Sequence, residues 1–281
     1  MTDTHTSGTP GASGTPGASG TPGASETPAA SGTPGTSETP AAFESPVVSE
    51  TRGARELRLV VLDMAGTTVA DGGLVERAFA AAAAELGVEP GSADHADKLA
   101  YVRATMGESK ISVFRHLFGA EDLAQKANAA FERAYGELVD GGLVAEIPGA
   151  REAIEEIQAG GRTVVLTTGF ARITQDAILD ALGWRDLVPL TLCPADAGGR
   201  GRPYPDMVLT ALLRTRAADA VHQVAVVGDT GYDALSGVRA GAGLVAGVLT
   251  GAHTEPELRA AGATQVLPSV AALPALLRGE R

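Results

Sequence analysis

A single cysteine, Cys193, occurs in the 281 residues of the chain, so no internal disulfide is available and a reducing, cytoplasmic setting is expected. A cysteine standing alone in this way reads as a small buried apolar residue rather than as a nucleophile. Long hydrophobic runs are also missing. Hydrophobic residues make up 44% of the chain, yet no apolar stretch approaches the roughly 18 residues of a membrane helix, so no membrane association is expected. Basic charge is scarce. Lys and Arg number 22 against 34 Asp and Glu, a formal net charge of −12. Such a balance repels a phosphate backbone and argues against nucleic acid as a partner, while leaving room for a small phosphorylated ligand held by a few local cations. The opening of the chain lacks the basic start and apolar run of about 7–15 residues that mark a secretion signal.

Large apolar side chains are almost absent before Phe43. From Gly8 the unit Gly-Thr-Pro-Gly-Ala-Ser repeats in tandem, and looser copies continue to Phe43. Short Pro/Gly/Ser/Thr repeats cannot bury enough surface to offset the entropy of ordering, and they read as a disordered tail over residues 1–55.

What is present begins near Leu57. Leu57 to Leu62 is a short apolar run ending at Asp63, and it reads as a buried strand. Similar runs cover Thr163 to Leu166, Val224 to Val227 and Leu244 to Leu249. Helical patterns lie between them at Ala150 to Ala159, Arg172 to Leu182, Tyr204 to Thr215 and Tyr232 to Ala240. Strands alternating with helices of this length predict an α/β fold with a doubly wound parallel sheet covered on both faces. The stretch Leu74 to Ile147 breaks the rhythm with helical signals alone, at Leu74 to Leu86, Ala93 to Thr105, Ser109 to Phe118 and Glu121 to Val139. It reads as an inserted α-helical cap. The expected division is a core of residues 56–72 and 146–281 and a cap of residues 73–145. Ala70 to Gly73 and Gly141 to Pro148 are expected as hinges, and Gly72, Gly73, Gly141 and Gly142 suit the backbone changes of a hinge.

In open parallel sheets, ligands sit outside the carboxyl ends of the strands. Asp63, Thr167-Thr168 and Asp229 stand at those ends, and Arg202 precedes the helix leading to the third strand. Carboxylates hold Mg²⁺, one carboxylate can act as a nucleophile, and a cation with hydroxyl donors can stabilise phosphoryl oxygens. Taken singly, each residue also reads as a cap, a turn or a solvated loop residue. The joint order is far more specific: an apolar strand, D-x-x-G-T-T, a helical insert, a strand ending T-T-G, and a strand ending G-D-T-x-x-D.

With these motifs the chain resembles the haloacid dehalogenase superfamily from residue 57 onward. The resemblance implies a Rossmann-like core and makes Asp63, in Asp63-Met64-Ala65-Gly66-Thr67-Thr68, the nucleophile. The superfamily's second aspartate, which protonates the leaving group, is replaced by Ala65. Acid catalysis of that kind contributes about 10²–10⁴-fold, so its loss suits a leaving group with its own electron sink. D-x-A-G-T-T is similar to the phosphonoacetaldehyde hydrolase (phosphonatase) group, whose cap supplies a lysine in Met-Gly-x-x-Lys-Ile. Met106-Gly107-Glu108-Ser109-Lys110-Ile111 matches that run, Gly201-Arg202-Pro203-Tyr204-Pro205 matches its G-R-P-Y-P, and Gly228 to Asp233 matches G-D-T-x-x-D.

The resemblance implies C–P bond hydrolysis of phosphonoacetaldehyde or a similar 2-oxoalkyl phosphonate, through an imine on Lys110 and an aspartyl-phosphate on Asp63. Mg²⁺ would be held by Asp63, the Ala65 carbonyl and Asp229, with Asp233 orienting the metal's surroundings. Thr167 or Thr168 and Arg202 would bind phosphoryl oxygens, Met106 and Gly107 would line the substrate end, and a homodimer would form through the caps. A phosphate monoesterase of the same superfamily is the alternative. The chain departs from the group at Phe170, where a Tyr is usual, and at Val113, where a cap His is expected. It also lacks a cysteine in the first cap helix and is shorter at its C-terminus. His116, on the same helix as Lys110, reads as a surface residue.

Overall fold

The computed structural model describes residues 57–280; the expected tail of residues 1–55 lies outside them. Six strands form one parallel sheet in the order β5-β4-β1-β6-β7-β8. They are β1 (Leu59–Asp63), β4 (Thr163–Thr167), β5 (Leu190–Leu192), β6 (Val224–Gly228), β7 (Leu244–Val248) and β8 (Gln265–Leu267). Every neighbouring pair is parallel. The chain leaves β1 for β4 and β5 on one side, then returns to β6, β7 and β8 on the other. That reversal opens a crevice at the carboxyl end of β1, as the sequence predicts.

Burial on both faces explains the unbroken apolar run of β1. Val60 and Leu62 pack into a large core that extends to Leu166, Ile154 and the aromatic side chains Phe79, Phe114 and Phe131. Leu59 and Val61 face the other way, onto Val165, Val208 and Val226. The helices show the matching stripe. Ala150, Ala153, Ile154 and Ile157 are the buried residues of α5 (Ala150–Ala159), at helical spacing. The remaining core helices are α6 (Arg172–Leu182), α7 (Asp206–Thr215), α8 (Gly231–Ala240), α9 (Glu255–Ala260) and α10 (Leu273–Arg278).

Four helices run in succession between Ala70 and Ala145: α1 (Leu74–Glu85), α2 (Ala93–Ala104), α3 (Lys110–Phe118) and α4 (Glu121–Asp140). They enclose an aromatic cluster in which Phe114 meets Phe131 at 5.8 Å between ring centroids. Phe170, from the loop after β4, enters the same cluster 4.8 Å from Tyr135. The segments expected as hinges hold a short antiparallel ribbon: β2 (Val69–Ala70) pairs with β3 (Ala145–Glu146). The ribbon satisfies backbone groups that a bare linker would leave to water.

Several expected boundaries shift. The first strand begins at Leu59 rather than Leu57 and includes Asp63, and the helix expected from Tyr204 begins at Asp206. β5 and β8 were not legible, because three-residue strands at a sheet edge carry too little pattern to register as a period.

Candidate active site

Register brings the site together. Asp63 pairs with Thr167 across β1 and β4, and the Met64 amide continues the ladder by donating to the Thr167 carbonyl at 3.1 Å. On the other flank β6 ends at Gly228, so Asp229 leaves the sheet beside Asp63. The carboxylates of Asp63, Asp229 and Asp233 gather with oxygens within 4.8 Å of one another, and all three are buried.

Arg202 ties this cluster together. Its guanidinium donates through Nη2 to Asp63 Oδ1 at 2.7 Å and through Nε to Asp233 Oδ1 at 2.7 Å. Nη2 also reaches the Thr167 hydroxyl at 2.7 Å, and Nη1 reaches the Gly107 carbonyl at 3.4 Å. The planar fork of arginine serves several acceptors at once, which lysine cannot do. Thr167 therefore stands beside the Asp63 carboxylate. The Thr168 hydroxyl is committed to the backbone, donating to the Asp63 carbonyl at 2.9 Å and accepting from the Phe170 amide at 3.2 Å. Thr168 still lines the cavity, whereas Thr167 reaches the site through Arg202.

Asp233 has a second task. It closes a capping box with Thr230 at the start of α8, its Oδ2 accepting from the Thr230 hydroxyl at 2.6 Å. Asp229 is held from outside the motif in which it sits: Thr67 donates to its Oδ1 at 3.3 Å and the Ala252 amide to its Oδ2 at 2.8 Å. Gly66, with φ +86°, brings its backbone so close that an added Cβ would lie 2.4 Å from Asp229 Oδ2. Neither the Ala252 amide nor the Thr250 hydroxyl, which donates to the Gly66 carbonyl at 2.6 Å, announces itself in the sequence.

Charge in the cluster is unbalanced. Three buried carboxylates face one buried guanidinium. Burial raises Asp63 well above the usual carboxylate range in spite of Arg202, with Asp233 and Asp229 adding to the rise. Burial and then Asp233 push Asp229 up to about 7. Burial works against the charge of Arg202, but Asp233, Asp63 and Asp229 outweigh it and hold the guanidinium above its ordinary value. Surplus negative charge on hard oxygen donors is the environment that fits a divalent cation such as Mg²⁺. Ala65, whose carbonyl the resemblance assigns to the metal, lines the same cavity as Asp63 and Asp229.

Lys110 reaches the site from the helical insert. It opens α3, and its backbone amide donates to the Gly169 carbonyl at 3.2 Å, which seats the helix start on the loop after β4. Gly169 makes that contact possible, since a Cβ there would stand 2.7 Å from the Glu108 carbonyl oxygen. Gly107, with φ +88°, lies close to the start of α8, where its Cβ would stand 2.5 Å from the Thr230 hydroxyl. Lys110 is buried, with Nζ 5.7 Å from the centre of the Phe170 ring. Burial lowers its ammonium to about 8, against the opposing pull of Asp71 and Asp63. Lys110, Met106 and Gly107 line one cavity of about 540 Å³ with Asp63, Arg202 and Asp229. Asp71, Glu76 and Arg103 line it as well, and sequence reasoning missed all three.

The remaining expectations fall outside the cavity. Cys193 is buried, and its burial raises the thiol. His116 is exposed and stacks on Tyr101 with ring centroids 4.1 Å apart. Val113, where the resemblance expects a histidine, packs in the core. Among the described residues no helix is long and apolar enough to cross a membrane.

The model of the haloacid dehalogenase-like hydrolases matches residues 57–241. A probable phosphatase from Dickeya dadantii is 31% identical over 209 residues, covering 72% of this chain and 86% of its own length. A phosphonoacetaldehyde hydrolase from Bacteroides fragilis is 29% identical over 266 residues, covering 80% of this chain and 97% of its own. Among solved structures, a phosphonoacetaldehyde hydrolase-like protein from Oleispira antarctica superposes with a TM-score of 0.68 at 25% identity, covering 80% of this chain and 93% of that one. A hydrolase from Pseudomonas syringae shares the fold with a TM-score of 0.69 at 21% identity, covering 80% of this chain and all of its own.

Proposed function

Because the chain belongs to the haloacid dehalogenase-like hydrolases, we propose that it hydrolyses the C–P bond of phosphonoacetaldehyde or a similar 2-oxoalkyl phosphonate. The observation that carries this reading is a buried lysine, Lys110, lining one cavity with the buried Asp63 at a site where Ala65 removes the usual leaving-group acid. The Bacteroides fragilis relative supports it by its name.

Lys110 adds as the free amine to the substrate aldehyde, and water leaves to form a protonated imine. Its lowered value of about 8 makes the amine accessible near neutral pH. Asp63 then attacks phosphorus. The C–P electron pair flows into the imine, so the carbon departs as an enamine and needs no proton from the protein at that moment. Water cleaves the aspartyl-phosphate to release phosphate. Protonation and hydrolysis of the enamine release acetaldehyde and restore Lys110. Arg202 and Thr167 hold the phosphoryl oxygens, and Arg202 orients Asp63 through Nη2. Mg²⁺, when bound, neutralises charge on the phosphoryl group, and Asp63, Ala65 and Asp229 are the residues that would hold it. Asp233 fixes Arg202 and the start of α8 around that site. Residues 73–145 serve as a cap that covers the crevice, in a cytoplasmic enzyme that pairs as a homodimer through those caps.

The test is borohydride reduction in the presence of phosphonoacetaldehyde, with the modified peptide identified by mass spectrometry. A stable adduct on Lys110 is expected. Normal phosphate release by Lys110→Arg would overturn the imine route. The Dickeya dadantii relative favours a second reading, a phosphate monoesterase in which Lys110 only binds substrate. Turnover of a panel of phosphate monoesters, with none of phosphonoacetaldehyde, would establish it.

A further inference from the structure

We propose that Asp71 is the proton-transfer residue for imine formation at Lys110, an assignment that rests on the C–P hydrolysis reading above. Imine chemistry needs a group that takes a proton and returns it, and two residues the resemblance leads one to expect near the lysine are absent here: Phe170 has no hydroxyl and Val113 no imidazole. Among the described carboxylates lining the cavity, Asp63 and Asp229 belong to the phosphoryl end. Glu76 is occupied by Arg103, which grips it through two hydrogen bonds of 2.7 Å. Asp71 is the one that remains. Its carboxylate is positioned rather than loose, since Oδ2 accepts from the Gly73 amide at 3.1 Å and Oδ1 from the Val75 amide at 3.3 Å. Each oxygen retains a lone pair, because a carboxylate offers about four acceptor sites. Of the charges that act on Lys110, Asp71 acts most strongly, ahead of Asp63. The same carboxylate adds to the rise that burial gives the Tyr135 hydroxyl, and the Tyr135 ring lies 4.8 Å from that of Phe170, the ring beside Lys110 Nζ.

The step balances without a further reactant. The Asp71 carboxylate takes one proton from the Lys110 ammonium. The amine forms a C–N bond to the aldehyde carbon, whose C=O pair moves onto oxygen, and a second nitrogen proton shifts to that oxygen. Asp71 returns its proton to the resulting hydroxyl, the C–O bond breaks, and water leaves as the nitrogen lone pair forms the iminium. Ammonium and aldehyde become iminium and water, and Asp71 ends as the carboxylate.

The experiment measures the rate of borohydride trapping on Lys110 at pH 7 with phosphonoacetaldehyde, in wild type, Asp71→Asn and Asp71→Ala, the last with and without added formate. Proton transfer predicts trapping slowed about 10²-fold in both variants, and recovery of at least tenfold in Asp71→Ala with formate. A purely electrostatic role predicts the opposite sign, because losing a negative neighbour frees the amine and speeds trapping. Trapping at or above the wild-type rate in Asp71→Asn overturns the proposal. Slowing without formate rescue overturns it too, since Asp71 would then only shape the turn before α1. If wild type itself forms no adduct, the C–P reading fails and this assignment falls with it, an outcome distinct from a defect confined to the variants.

Discussion

Arg202 and Asp63 are joined by a buried ion pair of 2.7 Å, Nη2 to Oδ1, although they lie on opposite flanks of the helical insert in the sequence. The pair opposes the rise that burial gives this carboxylate without cancelling it. Replacing Arg202 with Met leaves Asp63 and Asp233 buried without their cation. The expected loss of stability is about 3–5 kcal/mol at pH 7, smaller at pH 5, toward which the raised Asp63 carboxyl takes up its proton. Chemical denaturation at the two pH values checks this. Arg202→Lys keeps the charge but not the fork, and we expect it to lower kcat/KM at least tenfold with most of the stability retained.

The carboxylate cluster sets a pH dependence with a defined sign. Asp229 titrates at about 7 in the folded chain, against about 3.9 in an unfolded one. The folded state therefore binds more protons between those values, and its stability falls as pH rises from about 4 to 7. Without metal, the melting temperature is expected to be higher at pH 5.5 than at pH 8. Mg²⁺ would bind the deprotonated cluster, so its stabilisation should be larger at pH 8 than at pH 5.5. Thermal melts with EDTA and with Mg²⁺ test both statements, and Asp229→Asn should flatten both dependences.

Lys110 gives the opposite kind of linkage. Its folded value of about 8 lies below the value of about 10.4 for a free lysine. The destabilisation is complete below pH 8 and disappears as pH rises through 10. Lys110→Met is thus expected to stabilise the protein at pH 7 by about 1–3 kcal/mol and to abolish phosphonoacetaldehyde turnover. In wild type, kcat/KM for that substrate should climb with pH to a plateau above about pH 8. A profile flat from pH 6 to 9 would contradict a free-amine requirement.

Gly251 sits where a Cβ would be 1.9 Å from Asp229 Oδ2. Gly251→Ala must push that carboxylate aside. The expected result is at least a tenfold rise in the Mg²⁺ concentration for half-maximal activity, measured by metal titration, with KM for substrate at saturating metal changed less.

Tyr135 is fully buried and its hydroxyl has no hydrogen-bond partner among the described residues. Removing an unsatisfied buried hydroxyl recovers its desolvation cost, so Tyr135→Phe should be stabilising by about 1 kcal/mol. Equilibrium unfolding would show it, and a loss of stability would mean that the hydroxyl is satisfied in solution.

Much of the candidate site was legible because its residues are marked locally. Asp63 and Asp229 stand at or just beyond the end of an apolar strand, a parallel sheet turns every such end toward one edge, and Asp233 was legible through G-D-T-x-x-D. Lys110 was legible through the run in which it sits, Met106 to Ile111, and through the missing acid at Ala65. The residues that were not legible act across the fold. Asp71 lies beyond the D-x-x-G-T-T motif in an expected hinge, Glu76 and Arg103 lie in expected cap helices with no motif to mark them, and Ala252 contributes only a backbone amide.

The amino-acid sequence by itself determined the alternation of strands and helices, the helical insert and the identity of the carboxylates, because periodicity and strand ends are properties of short stretches. Only the tertiary structure decided which groups meet. It set Arg202 on both Asp63 and Asp233, separated the roles of Thr167 and Thr168, buried Lys110 against Phe170, and brought Asp71 into the same cavity. Those outcomes depend on distances between segments far apart in the chain. Packing and desolvation fix such distances, and no local pattern encodes them.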